Sequence, residues 1–116
     1  MHNKIQFWGW GHYSNSALIT WDDATNQWSK GTDPAWGGIG HAYYHLALDP
    51  RTGDMYLRQY GGARVKKKPY GGAWVDIASH HNSGNQVAGG LEWSSSLNGG
   101  AGGLVFWTIL RMTVLR

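Results

Sequence analysis

The sequence predicts an all-β fold built from a repeated unit, and three observations lead to this prediction. The 116 residues include eight Trp, six Tyr and two Phe, and each aromatic side chain can bury on the order of 150–250 Å². Eighteen glycines accompany them, as expected where short strands are joined by tight turns. Strand-like segments recur about 46 residues apart, and no window shows the apolar spacing of three and four that indicates a helix.

The charge and cysteine content narrow the classes of function. The chain has no cysteine, which excludes a disulfide framework and a thiolate metal site. Ten Lys and Arg against seven Asp and Glu leave a formal charge of +3, with one run of like charge at residues 66–68. Successive residues of a strand point to alternate faces, so these lysines cannot form a single basic stripe. We interpret them as solvated or as guards of an exposed strand edge, and we predict no nucleic-acid partner.

No membrane partner is expected either. The most apolar stretch, residues 102–110, is much shorter than a membrane-spanning helix and predicts a buried strand. No apolar run follows the positive charge at Lys4, so the N-terminal residues do not predict a signal peptide. The sequence therefore does not specify the cellular compartment of the protein.

Three pairs of segments define the internal repeat. Residues 17–28 and 63–74 each begin at Ala, pass through turn residues and end on Trp, which predicts two hairpins. Aromatic-rich strands that end in glycine are predicted ahead of them, at residues 5–11 and 54–62. A further strand is predicted in each copy, at residues 41–48 and 86–93.

A period in the forties with several short strands per unit is typical of β-propeller blades. The chain is therefore predicted to be a single unit, residues 1–116, with copies at about 5–40, 41–85 and 86–116. The last copy is only partial, with residues 102–108 as its second strand, so the chain holds about 2.5 blades.

Specific motifs resemble those of kelch and galactose-oxidase-like propellers. Residues 21–28, Trp-Asp-Asp-Ala-Thr-Asn-Gln-Trp, resemble the family's Tyr-Asp-Pro-x-Thr-x-x-Trp, and Tyr60-Gly61-Gly62 resembles its glycine pair. Residues 48–56 resemble the turn between the first two strands of a blade. The resemblance implies kelch-like blades, each a four-stranded antiparallel sheet. Three features depart from the pattern: a shortened motif at residues 69–74, separated glycines at positions 9 and 11, and a tail at residues 106–116 that follows neither copy.

A ring of 2.5 blades is open, and this determines the expected partner. Propellers have 4 to 8 blades, each of which covers its neighbours. An open fragment exposes two blade faces rich in Trp and Tyr, more apolar surface than a monomer tolerates. We expect either a homo-oligomer with two-fold symmetry, in which two chains close the ring, or a fragment of a longer chain.

The histidines and carboxylates do not form a catalytic or metal signature. On a strand His41 and His45 lie about 13 Å apart, too far to share an ion, and the adjacent His80 and His81 point in opposite directions. The galactose-oxidase resemblance implies a copper-radical site, but that chemistry needs a tyrosine cross-linked to cysteine, which is absent. Most carboxylates occupy turns, where Asp bonds local backbone. We therefore predict no catalytic residue, no metal and no cofactor.

A surface that binds carbohydrate or protein is the preferred functional prediction. Aromatic and histidine side chains near glycine-rich bends are its candidates: Trp8, Trp10, His12, Trp36, Tyr43, Tyr44 and His45. Trp28, Trp74 and Trp93 are predicted instead as core between blades. Two alternatives stay open. One is a fragment of a polysaccharide lyase or glycosidase, with His41, Tyr43, Tyr44 and His45 as its reactive groups. The other is a structural assembly component.

Overall fold

The computed structural model describes residues 4–9, 17–31, 45–58, 64–79, 89–108 and 112–115. Within them lie ten strands, one 3-10 turn at Asn98–Gly100 and no α-helix, so the all-β prediction is confirmed. Among the same residues no helix is long and apolar enough to cross a membrane. The strands are β1 Lys4–Gly9, β2 Ala17–Asp22, β3 Gln27–Lys30, β4 Leu46–Asp49, β5 Asp54–Arg58, β6 Arg64–Lys68, β7 Val75–Ser79, β8 Gly89–Ser94, β9 Gly103–Thr108 and β10 Met112–Leu115.

The chain divides into two compact units, residues 1–40 and residues 41–116. The first unit contains the N-terminal sheet, an antiparallel meander in the order β1-β2-β3. Its β2–β3 turn is the predicted one: the Asp22 carboxylate accepts a hydrogen bond from the Ala24 N–H (3.1 Å), and Asn26 adopts a positive φ of 55°. Asparagine tolerates that conformation better than most residues.

Trp28 departs from its predicted role in a core. It lies directly opposite Trp21 in the β2–β3 pair, with ring centroids 5.0 Å apart. Its side chain is nevertheless 58% exposed. Trp28 is therefore not a buried core residue, contrary to the prediction. The other two predicted core tryptophans, Trp74 and Trp93, are half-buried.

The second unit begins with the four-stranded sheet, another antiparallel meander, in the order β4-β5-β6-β7. Its first turn is the one predicted at residues 49–53, where the Gly53 N–H donates to the Asp49 carbonyl (2.9 Å) at a φ of 78°. The β6–β7 turn contains the predicted Pro69 and Gly71. A register shift between Val65 and Lys66 marks a bulge in the β6–β7 pair.

The prediction that the lysine run guards a strand edge is wrong. Strand β6, which carries these lysines, lies between β5 and β7 and is not an edge. Lys66 pairs with Asp76 of β7 (3.6 Å), and Lys67 pairs with Asp54 of β5 (2.7 Å). Two of the three lysines thus bind neighbouring strands.

The C-terminal sheet completes the second unit with the order β8-β9-β10. Strands β8 and β9 fall on segments predicted as strands, and part of the atypical tail forms β10, which pairs antiparallel with β9. The Leu97–Gly102 connection joins β8 to β9. In it the N–H groups of Gly100 and Gly102 donate to the Leu97 carbonyl (3.0 and 2.9 Å).

The core of the second unit lies between its two sheets. Strand β4 packs beside β8. Alternate residues of both sheets face each other, as the period of two in a strand requires, and Trp93 packs against the edge of this cluster. The buried cluster consists of Ala47, Tyr56 and Val65 from the four-stranded sheet and Leu91, Leu104 and Phe106 from the C-terminal sheet.

Two glycines of the Leu97–Gly102 connection allow a matched test of packing. Gly99 and Gly102 both have positive φ, 65° and 90°. A Cβ at Gly99 meets open space, whereas one at Gly102 overlaps the Trp93 ring and comes within 2.7 Å of Arg51 Nη2. We expect Gly99→Ala to cost about 1–2 kcal/mol for the left-handed backbone. Gly102→Ala should cost a further 1–3 kcal/mol, roughly, for overpacking. Urea denaturation of the two variants measures the difference, and equal losses would contradict the described contact.

Candidate functional site

Most of the predicted binding residues lie outside the described part of the chain. Trp8 belongs to β1, whose backbone is described. His45 alone has a described side chain, fully buried immediately before β4. The other five candidates lie outside the described residues: Trp10, His12, Trp36, Tyr43 and Tyr44. His41, a reactive group in the alternative enzyme prediction, lies outside them as well.

His45 belongs to a buried cluster with Arg58 and Phe106. The Arg58 N–H donates to the His45 carbonyl (2.9 Å), and Arg58 Nη1 lies 3.5 Å from His45 Nδ1. The guanidinium carbon is 4.2 Å from the centroid of the Phe106 ring, and the His45 ring meets that ring edge-on at 5.9 Å. Burial lowers the pKa of Arg58 to about 10, so the side chain stays protonated at neutral pH. The cluster places a cation within the contact between the two sheets.

A second arginine connects the same two sheets at the opposite end of β5. Arg51, in the β4–β5 turn, forms a bidentate contact with the Asp49 carboxylate (3.1 and 3.2 Å). Its other donors reach the carbonyls of Gly100 (3.0 Å) and Ala101 in the Leu97–Gly102 connection. The guanidinium also lies 5.5 Å from the Trp93 ring centroid. One side chain therefore ties a turn of the four-stranded sheet to the C-terminal sheet.

The contact of Arg51 with Trp93 continues into a stack that we call the cation–aromatic ladder: Arg51, Trp93, Tyr56 and Lys67. The rings of Trp93 and Tyr56 are nearly parallel, 12° apart, with centroids 5.3 Å from each other. Lys67 Nζ lies 5.7 Å from the centroid of the Tyr56 ring. The indole N–H of Trp93 is buried and finds no acceptor among the described residues. Cations thus flank a tryptophan–tyrosine pair on both sides, an arrangement that the ring quadrupoles favour.

The two carboxylates beside the ladder face each other across the β4–β5 hairpin, and each has its own cation. The side-chain hydrogen bond from Arg51 outweighs burial and lowers the pKa of Asp49. Burial acts to raise the pKa of Asp54, but hydrogen bonds from Lys67 and the Tyr70 N–H, with the charge of Lys67, lower it overall. Burial raises the pKa of Tyr56, although Lys67 opposes this.

These shifts define what the carboxylate pair can do chemically. Both Asp49 and Asp54 are ionised at neutral pH because both pKa values are lowered. A glycosidase pair instead needs one carboxyl group that retains its proton to protonate the leaving group. This pair therefore does not supply acid–base chemistry of that kind. Within the described residues no group of three His, Asp or Glu side chains could hold a metal ion.

The second unit also has two open strand edges with exposed apolar side chains. Strand β7 ends the four-stranded sheet and exposes Val75 and Ile77, and strand β10 ends the C-terminal sheet and exposes Met112 and Val114. No other described strand pairs with the outer edge of either. Such edges present free backbone donors and acceptors to another strand.

Sequence reasoning did not predict the contacts of Arg51, Arg58 and Lys67. In the sequence Arg51 stands in the predicted turn at residues 49–53, two residues after Asp49, to which its side chain bonds. No local signal marks its carbonyl acceptors, which lie 49 and 50 residues away. No family model, no curated protein and no solved structure matches this chain.

The ion pair of Asp49 predicts a defined dependence of stability on pH. Because folding lowers the pKa of Asp49, its contribution is present above the ordinary value of 3.8 and is lost as the pH falls through the lower folded value. Asp49→Asn should therefore lower the free energy of unfolding at pH 7. The difference from the parent chain should shrink progressively below pH 3.8.

Denaturant titrations from pH 2 to pH 7 measure this difference, with Asp23→Asn as control because Asp23 is an exposed turn carboxylate. Its effect should be small at every pH. A loss for Asp49→Asn that stayed constant down to pH 2 would show that the carboxylate is not held by Arg51.

Proposed function

We propose that this chain is a non-catalytic, kelch-like β-propeller module that completes a ring by self-association and offers a surface for carbohydrate or protein. The observation that carries the proposal is the recurrence of the same antiparallel meander along the chain. Each described sheet is such a meander, with consecutive strands paired in sequence order. A propeller blade has this strand order.

The spacing of the strands supports the repeat. The β2–β3 hairpin begins at Ala17 and the β6–β7 hairpin at Arg64, 47 residues later. Strand β5 begins at Asp54 and β9 at Gly103, 49 residues later. On this spacing β1, β2 and β3 match β5, β6 and β7, while β8, β9 and β10 match β4, β5 and β6. The N-terminal sheet then lacks a first strand and the C-terminal sheet lacks a fourth.

The packing within the second unit supports the proposal as well. The first strands of the two sheets, β4 and β8, lie beside each other, and the sheets share one core. Neighbouring blades of a propeller pack face to face in this way, each burying apolar residues against the next. The exposed apolar side chains on the terminal edges favour completion by another chain.

The ionisation of Asp49 and Asp54 favours a module without catalytic function over a glycosidase fragment that uses this carboxylate pair. Carbohydrate or protein binding rests on the aromatic residues predicted from the sequence, because aromatic faces stack on sugar rings and anchor protein contacts.

Self-association predicts a concentration-dependent mass. At micromolar concentration we expect light scattering to report a particle of two chains that dissociates on dilution, since the exposed strands of one chain are covered by the other. Sedimentation equilibrium gives the dissociation constant. A folded, monodisperse single chain at every concentration would contradict the proposal.

Ligand binding is tested separately on a glycan array. Trp10→Ala and Tyr44→Ala should weaken any carbohydrate signal by about tenfold or more, because each removes a predicted stacking surface. Trp28→Ala is the matched control, since Trp28 is an exposed tryptophan outside the predicted set. Equal losses in all three variants would argue against the predicted surface.

A further inference from the structure

We infer that two copies of this chain join face to face. The outer face of the C-terminal sheet of one copy packs on the face of the N-terminal sheet that carries Trp21 and Trp28 in the other copy. The inference rests on the proposed self-association and specifies the surfaces that produce it. It follows from the registers of the described strands and from the exposure of their side chains.

The first surface lies on the side of the C-terminal sheet that is turned away from the core of the second unit. Residues directly opposite each other in an antiparallel pair share a face. Leu104 and Phe106 are buried in the core, so the alternate residues of β9 and their cross-strand partners lie on the other side. We call this side the C face, and it consists of Gly90, Glu92, Val105, Trp107, Met112 and Val114.

The C face is apolar and partly open to solvent. Met112 and Val114 are 72% and 41% exposed, and Trp107 is half-buried. A Cβ at Gly90 would overlap the Trp107 ring, so this ring lies over the glycine and extends the apolar surface from β9 to β8. Glu92, which is exposed, carries the one charge of the C face.

The second surface belongs to the N-terminal sheet. The β2–β3 register sets Trp21 opposite Trp28 and Ile19 opposite Lys30, so these four residues share a face, which we call the N face. Trp28 is 58% exposed, whereas Thr20, on the opposite face, is buried. A sheet that buries a threonine and exposes a tryptophan has its apolar face available to a partner.

Charge favours the contact of unlike faces. Glu92 is the only charged residue of the C face as defined above, and Lys30 is the only charged residue of the N face. Two C faces would bring two carboxylates into one contact, and two N faces would bring two ammonium groups together. Like charges across an interface disfavour such pairings. A C face and an N face instead combine opposite charges, so each face finds its complement on a second copy.

The contact also has the geometry that the proposed propeller requires. Neighbouring blades pack face to face, as the four-stranded and C-terminal sheets do around their shared core. On the proposed repeat the N-terminal sheet is the first blade and the C-terminal sheet is the last, so each has one face for which the chain supplies no further blade. Each chain carries both faces, and two chains therefore form two equivalent joints, as in a ring with two-fold symmetry.

The size of the two joints suits a reversible dimer. The exposed surface of their apolar side chains amounts to roughly 1,000 Å² in total, since a fully buried aromatic residue covers on the order of 150–250 Å². Specific and stable interfaces begin at about 1,200 Å², and smaller ones are transient. We therefore expect an association that dissociates on dilution.

Mixing two variants tests which faces meet. Met112→Lys alters only the C face and Trp28→Glu only the N face, so each homodimer has two altered joints. Each variant alone should weaken dimerisation by about tenfold or more, because a charge replaces an apolar group in the contact. In an equal mixture the mixed dimer keeps one unaltered joint, and its other joint brings the introduced lysine to the introduced glutamate. Most of the affinity should then return, as measured by sedimentation equilibrium, with native mass spectrometry to identify the mixed dimer.

Leu48→Lys is the matched control, since Leu48 is an exposed leucine of β4 outside both faces. Its dissociation constant should equal that of the parent chain. Recovery on mixing also shows that both altered chains fold. Trp28→Ala separates this contact from ligand binding: it should weaken self-association and keep its carbohydrate signal, because the residues predicted to bind carbohydrate are a different set.

The possible outcomes separate the inference from the proposed function. A dimer that resists both charged variants, or that is weakened by only one of them, overturns the contact of unlike faces but leaves self-association standing. Weakening by both variants without recovery in the mixture does the same. A parent chain that is a folded monomer at every concentration overturns both. Loss in each variant together with recovery in the mixture supports both.

Discussion

The contact between the two sheets of the second unit depends on arginines that lie over aromatic rings at both ends of β5. At one end Arg51 reaches from the β4–β5 turn to two carbonyls of the C-terminal sheet and to the Trp93 ring. At the other end Arg58 is fully buried over Phe106. The apolar cluster between these ends is small. The arginines therefore add directional contacts between the sheets to the apolar packing of the described cluster.

Arginine and lysine side chains in the contact between the two sheets lose hydration, and this cost explains why carboxylates and carbonyls surround them. A desolvated cation is expensive unless partners compensate it. Arg51 has a carboxylate and two carbonyls, and Lys67 has the Asp54 carboxylate at 2.7 Å. Arg58 is buried more deeply, and the lowered pKa that burial causes records this cost. Asp49 and Asp54 are thus positioned by the cations that they neutralise. Because each carboxylate has its own cation, the two can lie opposite each other in one hairpin.

Local chemistry made the turns and strands predictable. The turns at residues 22–26, 49–53 and 69–72 follow from Asp, Asn, Pro and Gly, which act over a few positions. Strand β7 was not predicted, since the predicted hairpin at residues 63–74 ends on Trp74 and the strand begins at Val75. The roles of Arg51 and Arg58, and the exposure of Trp28, depend on residues distant in the sequence or on packing. Periodicity alone does not specify those partners, and most predicted binding residues lie outside the described ranges.

The distribution of charge over β6 and β10 reverses the usual protection of strand edges. Natural sheets place lysine on exposed edges to prevent pairing with other chains. Here the lysines lie on β6, which β7 covers, while β10 carries Met112 and Val114 on an open edge. On the proposed repeat, β10 has the same place in its sheet as β6 has in the four-stranded sheet. Among the described strands, β6 is covered by β7 and β10 has no such neighbour. The covered strand carries charges that its neighbours neutralise, and the uncovered strand carries apolar groups that water does not stabilise. Exposed apolar residues on such an edge favour pairing with a further strand, which is what the proposed self-association requires.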